Sequence, residues 1–201
     1  MNDRLVFADC ETSGIRVDRG SEAWEIALIV RDPALGRPGD TEYLWHLRPS
    51  GPMDPESLKI GGYHERCSVR YERPGMARDE LRGGREPVTD WAVAFDIASL
   101  LAGAHLIGTN PWFDAAHLIA LLENHGRPFD ADYHYTDIGS LVRGYIHGQV
   151  DGNYPLPWPL KLTMAAALVG LNPDVYEAHT ALGDARLARD IFDRVCTGGE
   201  S

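Results

Sequence analysis

The stretch that most limits how this chain can fold is Leu5-Val6-Phe7-Ala8-Asp9-Cys10-Glu11-Thr12-Ser13-Gly14. Its four apolar residues read as a buried strand, and Thr12-Ser13-Gly14 reads as the exit from that strand into a turn. Side chains alternate along a strand, so Asp9 and Glu11 project to the same side with only Cys10 between them. Two carboxylates at the end of a buried strand repel each other unless something positive joins them, and no Lys or Arg adjoins them in sequence. Taken alone, the pair fits a divalent-cation site and a solvated strand end equally well. Further ligands elsewhere in the chain decide between the two.

Composition sets the frame for that question. The 201 residues, 44% of them hydrophobic, are enough for one full core and require no second domain. Nothing from Met1 to Arg4 resembles a signal peptide, and no apolar run is long enough to span a bilayer, so no membrane partner is expected and the cytoplasm is the default compartment. Cys10, Cys67 and Cys196 are odd in number and far apart, which reads as free thiols rather than a disulfide framework or zinc ribbon. The net charge of -11 argues against a broad electrostatic grip on nucleic acid. It leaves room for an enzyme that holds a few nucleotides through bound cations.

Along the chain, Ala23 to Val30 is the second strand, and its short link to the first favours antiparallel pairing. Tyr43 to Leu47 alternates as a third, completing a meander, and a short helix follows over Pro55 to Ile60. Between Arg66 and Arg85, six arginines face three acids in an acidic chain, a basic insertion that reads as a solvated segment or as a substrate-facing flap. Helical periodicity returns over Val88 to Ala102, with Thr89 or Asp90 as cap. His105 to Asn110 is a fourth strand, Pro111 opens a helix over Trp112 to Asn124, and Gly126 ends it. Tyr133 to Thr136 is a fifth strand before a helix over Asp137 to Ile146, and the strand-helix-strand order implies a right-handed parallel crossover. A Gly, Pro and aromatic loop fills Gly148 to Pro159. Helices over Leu160 to Leu171 and Thr180 to Val195 complete one domain over residues 1–196, with residues 66–86 as its insertion and residues 197–201 as a frayed tail.

The helices supply the missing ligands. Asp114 shares a stripe with Leu118, Leu121 and Leu122, and Asp184 shares one with Leu187, Ala188, Ile191 and Val195. A carboxylate on the face that packs against a sheet is costly unless compensated. Asp near a helix N-terminus gains from the macrodipole, but that account suits a solvent-facing Asp better than one on an apolar stripe. A cation site shared with Asp9 and Glu11 explains all four positions together. His179 lies just ahead of the cap Thr180, on a loop leaning over that site. For His46, His64, His105, His117, His125, His134 and His147 a structural role is the better reading.

The three segments match D-x-E-T-x-G at residues 9 to 14, N-x-x-F-D at Asn110 to Asp114, and H-x-A-x-x-D at His179 to Asp184. In this order the chain resembles the DEDDh group of 3′→5′ exonucleases, whose members include the proofreading subunit of bacterial DNA polymerase III, ribonuclease T and oligoribonuclease. Asp137 and the Lys161-Leu162 helix start match more weakly. The tyrosine-bearing sister group would need Tyr where Thr180 stands. The resemblance implies an α/β, RNase H-like three-layer fold: a mixed five-stranded sheet of order 3-2-1-4-5 with helices on both faces.

It also implies the chemistry. Two Mg²⁺ or Mn²⁺ ions would be held by Asp9, Glu11, Asp114 and Asp184, with His179 as general base and Asp9 as the bridge between ions. Nucleoside monophosphates would leave one at a time from the 3′ end of single-stranded DNA. RNA is the alternative substrate, and a non-catalytic nucleic-acid or polymerase-binding module the more distant one. Thr12 and Gly14 would help seat the terminal nucleotide beside Asn110, and Trp112 or Phe113 would stack a base. A polymerase or a second copy of the chain is compatible as partner but leaves no readable mark in the sequence.

Overall fold

The computed structural model of the chain describes residues 4–32, 34–67, 71–72, 90–150 and 155–198. Strand β1 (Leu5–Thr12) runs antiparallel to β2 (Ala23–Arg31), which pairs antiparallel with β3 (Thr41–His46). Helix α1 (Pro55–Ile60) begins at Asp54, whose carboxylate accepts from Ser57 N–H, and α2 (Tyr63–Arg66) follows. A two-residue strand β4 (Tyr71–Glu72) pairs with the outer edge of β3. Helix α3 (Asp90–Leu101) leads to β5 (His105–Gly108), helix α4 (Pro111–Asn124) and β6 (Thr136–Asp137). Helices α5 (Ile138–Gln149), α6 (Leu162–Leu168) and α7 (Ala181–Cys196) complete the fold.

The sheet order is β4-β3-β2-β1-β5-β6, with β5 parallel to both β1 and β6. Without the short β4, this is the expected mixed order 3-2-1-4-5. Central β1 separates two cores. Val6, Ala8 and Cys10 pack with α3 and α4 through Val93, Ile97, Leu101, Ala115, Leu118 and Leu122. On the other face, Phe7 packs with α5, α6 and α7 through Ile138, Val142, Ala165, Ala185, Leu187 and Ile191. Both faces of β1 and β2 are covered, which explains why they read as apolar runs and not as alternating strands.

Several boundaries differ from the sequence reading, each for a local reason. The fifth strand is Thr136–Asp137 rather than Tyr133 to Thr136, because the Asp132 carboxylate accepts from His134 N–H and draws this segment into a turn. The fourth strand stops at Gly108, where a Cβ would lie 2.7 Å from Ala8 O; Asn110 then turns through φ 55 into α4. Helix α6 ends at Leu168 ahead of Gly170, which stands at φ 78. Gly126 follows α4 at φ 64, as expected. Arg70, Arg73, Arg78, Arg82 and Arg85 of the basic insertion lie outside the described residues, as does Thr89. Among the described residues no helix is long and apolar enough to cross a membrane.

Candidate active site

The β1 strand ends at an acidic cluster. Asp9 and Glu11 continue the Phe7 side of the strand, the side on which α7 packs, and α7 brings Asp184 in its first turn. One ligand oxygen from each of Asp9, Glu11 and Asp184 lies within 4.8 Å of the other two, and all three side chains are half-buried. Helix α7 starts at this point because Thr180 caps it, its Oγ1 accepting from Gly183 N–H at 3.0 Å. Oxygen-only donors at this spacing suit a hard divalent cation.

Asp114 arrives from the opposite layer. It is 2% exposed in the first turn of α4, and its Oδ1 accepts from Cys10 N–H at 3.0 Å. The structure therefore gathers Asp9, Glu11 and Asp184 and sets Asp114 outside that group, behind the strand end. Its charge still acts on Asp9 more than that of any other neighbour.

Burial shapes the electrostatics. Desolvation raises the Asp9 carboxyl well above its usual range, and Asp114, Asp184 and Glu11 raise it further. Desolvation also lifts Asp114, against the opposing bond from Cys10 N–H. Glu11 is pushed up to about 7 by burial, with Arg66 opposing and Glu25 adding to the rise. Asp184 is raised by burial and lowered by His179, through its charge and through its backbone N–H. Such a cluster binds protons or cations avidly.

Two residues at the site escaped the sequence reading. Glu11 pairs with Glu25 of β2 at the end of the regular ladder, just before a bulge shifts Thr12 onto Ala23. Glu25 is 2% exposed and accepts from His46 Nε2 at 2.7 Å, from Arg66 Nη1 and from Ala181 N–H at 2.8 Å. Burial pushes its pKa up, but these bonds outweigh burial and leave it below its ordinary value. Arg66, at the end of α2, also bonds Gly61 O and His179 O and lies over the Trp24 ring at 5.2 Å. The signal for Glu25 was present in the sequence: it is the one charged residue inside the apolar run Ala23 to Val30. Arg66 gave none, since nothing in sequence separates it from the other arginines of its stretch.

His179 is exposed, on the loop before α7, and adopts φ 58, a region that non-glycine residues rarely enter. Thr12 is buried, its Oγ1 donating to Gly14 O at 2.7 Å, and Ser21 Oγ bonds the same carbonyl. Beyond Gly14 opens a cavity of about 470 Å³ lined in part by Arg16, Arg19, Asp54 and Ile60. Asn110 is exposed, as is Trp112 at 56% with its ring 6.1 Å from Tyr135. Phe113 is half-buried, its ring 4.5 Å from that of His117. His117 is buried and bonds Phe113 O and Ser21 Oγ, and His105 bonds Thr136 Oγ1, so these histidines do structural work.

No protein-family model matches the chain, and no curated protein matches its sequence. Solved structures do match. Exonuclease I of E. coli, in a zinc-bound complex with single-stranded DNA, is similar over 99% of this chain and 41% of its own, with TM-score 0.67 and 17% identity. Exonuclease I from Methylocaldum szegediense is similar over 98% of this chain and 41% of its own, with TM-score 0.63 and 20% identity. A 3′-exonuclease that recognises the histone mRNA stem-loop is similar over 98% of this chain and 65% of its own, with TM-score 0.61 and 14% identity. The chain thus spans about two-fifths of the exonuclease I chains and shares the RNase H-like fold of all three.

Proposed function

We propose that this protein is a metal-dependent 3′→5′ exonuclease that removes nucleoside monophosphates from single-stranded DNA. The observation that carries the reading is the convergence of Asp9, Glu11 and Asp184 at the end of β1, with His179 on the loop ahead of Asp184. The nucleases that share its fold support it, one crystallised with single-stranded DNA.

In this reading Asp9, Glu11, Asp114 and Asp184 would hold two Mg²⁺ or Mn²⁺ ions, Asp114 meeting the strand end from the opposite layer. Bound divalent cations supply a lowered pKa for water and neutralise charge developing on the phosphate. His179 takes the proton of the attacking water as general base, its exposure leaving the imidazole open to solvent and substrate. Burial raises both Asp9 and Glu11, so a cation there would compete with protons and its binding would depend on pH. The cavity beyond Gly14 receives the terminal nucleotide, where Arg16 and Arg19 oppose its phosphate charge. Trp112, exposed at the start of α4, offers a face for base stacking beside Asn110 and Phe113.

The test is incubation with 5′-labelled single strands of DNA and RNA, in Mg²⁺ or in EDTA. A ladder shortening from the 3′ end, present in Mg²⁺ and absent in EDTA, is the expected result. Preference for the RNA strand would move the assignment to an RNA exonuclease, a reading favoured by the likeness to the histone mRNA 3′-exonuclease. No metal-dependent product on either strand would leave a binding module instead.

A further inference from the structure

The arginine at the end of α2 does more than its place in a basic stretch implies. Its guanidinium meets four partners: Nη1 donates to both oxygens of Glu25, and Nη2 donates to Gly61 O and, at 2.8 Å, to His179 O. The second Glu25 oxygen accepts from Ala181 N–H at 2.8 Å. The ion pair therefore grips the chain on either side of Thr180, by the carbonyl of residue 179 and the amide of residue 181. Between these two holds His179 keeps φ 58, and its backbone N–H faces the Asp184 carboxylate. Trp24, beneath the guanidinium at 5.2 Å, fixes the plane of the fork.

We propose that Arg66 is a positioning residue for His179: paired with Glu25, it holds the loop ahead of α7 so that the imidazole stays over the Asp9, Glu11 and Asp184 cluster. The inference rests on the exonuclease reading given above. It turns Arg66 away from substrate phosphate, because its Nη1 and Nη2 donors are already committed to the protein. Lysine cannot replace it, since an ammonium is a point charge without a planar fork to reach Glu25, Gly61 O and His179 O together.

Arg66→Lys tests this while keeping a positive charge beside buried Glu25. With thermal unfolding confirming the fold, kcat on labelled single-stranded DNA falls about tenfold or more, while KM and Mn²⁺ affinity change less than about twofold. In a His179→Ala background the same substitution has no further effect on residual turnover beyond about twofold, because the two residues act as one unit. A KM rise at constant kcat, a loss of Mn²⁺ affinity, or an additive loss in the His179→Ala background overturns the proposal. Glu25→Gln cuts the pair from the other side and gives the same pattern, which covers the case in which Arg66→Lys does not fold.

A readout without turnover is the His179 ring Cε1–H resonance of the metal-free protein, assigned by its disappearance in His179→Ala. Arg66→Lys shifts it, and an unmoved resonance overturns the proposal. An inert wild-type protein would refute the exonuclease reading, and the resonance would then decide on Arg66 by itself.

Discussion

Glu11 carries its proton to about 7 in the fold, against an ordinary value of 4.5. Between those values the folded, metal-free protein holds a proton that the unfolded chain has released, so stability falls as pH rises through that window. For Glu11 alone the loss is about 3 kcal/mol at most, at 1.36 kcal/mol per unit, and Asp9 and Asp184 act in the same direction. In the proposed reading a bound cation would take the place of the proton. The unfolding midpoint should therefore drop from pH 5 to pH 7.5 in EDTA and hold in excess Mg²⁺; superimposable curves would contradict the cation site. Asp9→Asn should raise the midpoint in EDTA, abolish the response to Mg²⁺, and reduce turnover by about 10²–10³-fold or more. His179→Ala should slow turnover by about 10²–10⁴-fold with Mn²⁺ affinity retained, measured by titration calorimetry.

Turns and helix ends hold these residues in place, so substitutions there act on the site indirectly. A Cβ at Gly61, where α1 ends, would lie 2.7 Å from Glu11 Oε2 and 3.1 Å from the Trp24 ring. Gly61→Ala should displace Glu11 and weaken Mn²⁺ binding with little change in the core; calorimetry on the variant checks it. The elements themselves were largely legible in the sequence. Apolar runs gave β1 and β2, and the stripes around Asp114 and Asp184 gave α4 and α7. The failures came where a side chain captured backbone or where partners lie far apart in sequence. Asp132 turned a strand-like Tyr133 to Tyr135 into a loop, and the Glu25–Arg66 pair joins positions whose proximity depends on the whole sheet. Asp114 and Asp184 lie on helices that pack on opposite faces of β1, and each meets the strand end from its own layer.

At the scale of the molecule, charge and connectivity govern behaviour. The chain carries a net charge of -11, and two arginines line the cavity beyond Gly14. Two phosphate contacts give a salt slope of about -1.4 for a single strand, or about sevenfold weaker binding between 50 and 200 mM salt. Fluorescence anisotropy with the His179→Ala protein measures this slope; a much steeper one would bring the arginines between Arg70 and Arg85 onto the strand. Central β1 also sets an order of events in time. The cluster draws Asp9 and Glu11 from the first strand and Asp184 from the last helix, so the chain cannot build it until that helix has docked. Contacts so distant in sequence form slowly, after the local helices and the β1–β2 hairpin. During refolding, capacity to bind Mn²⁺ should thus emerge with the slowest phase, later than helical signal, so that the acidic cluster is the last part of the protein to come into being.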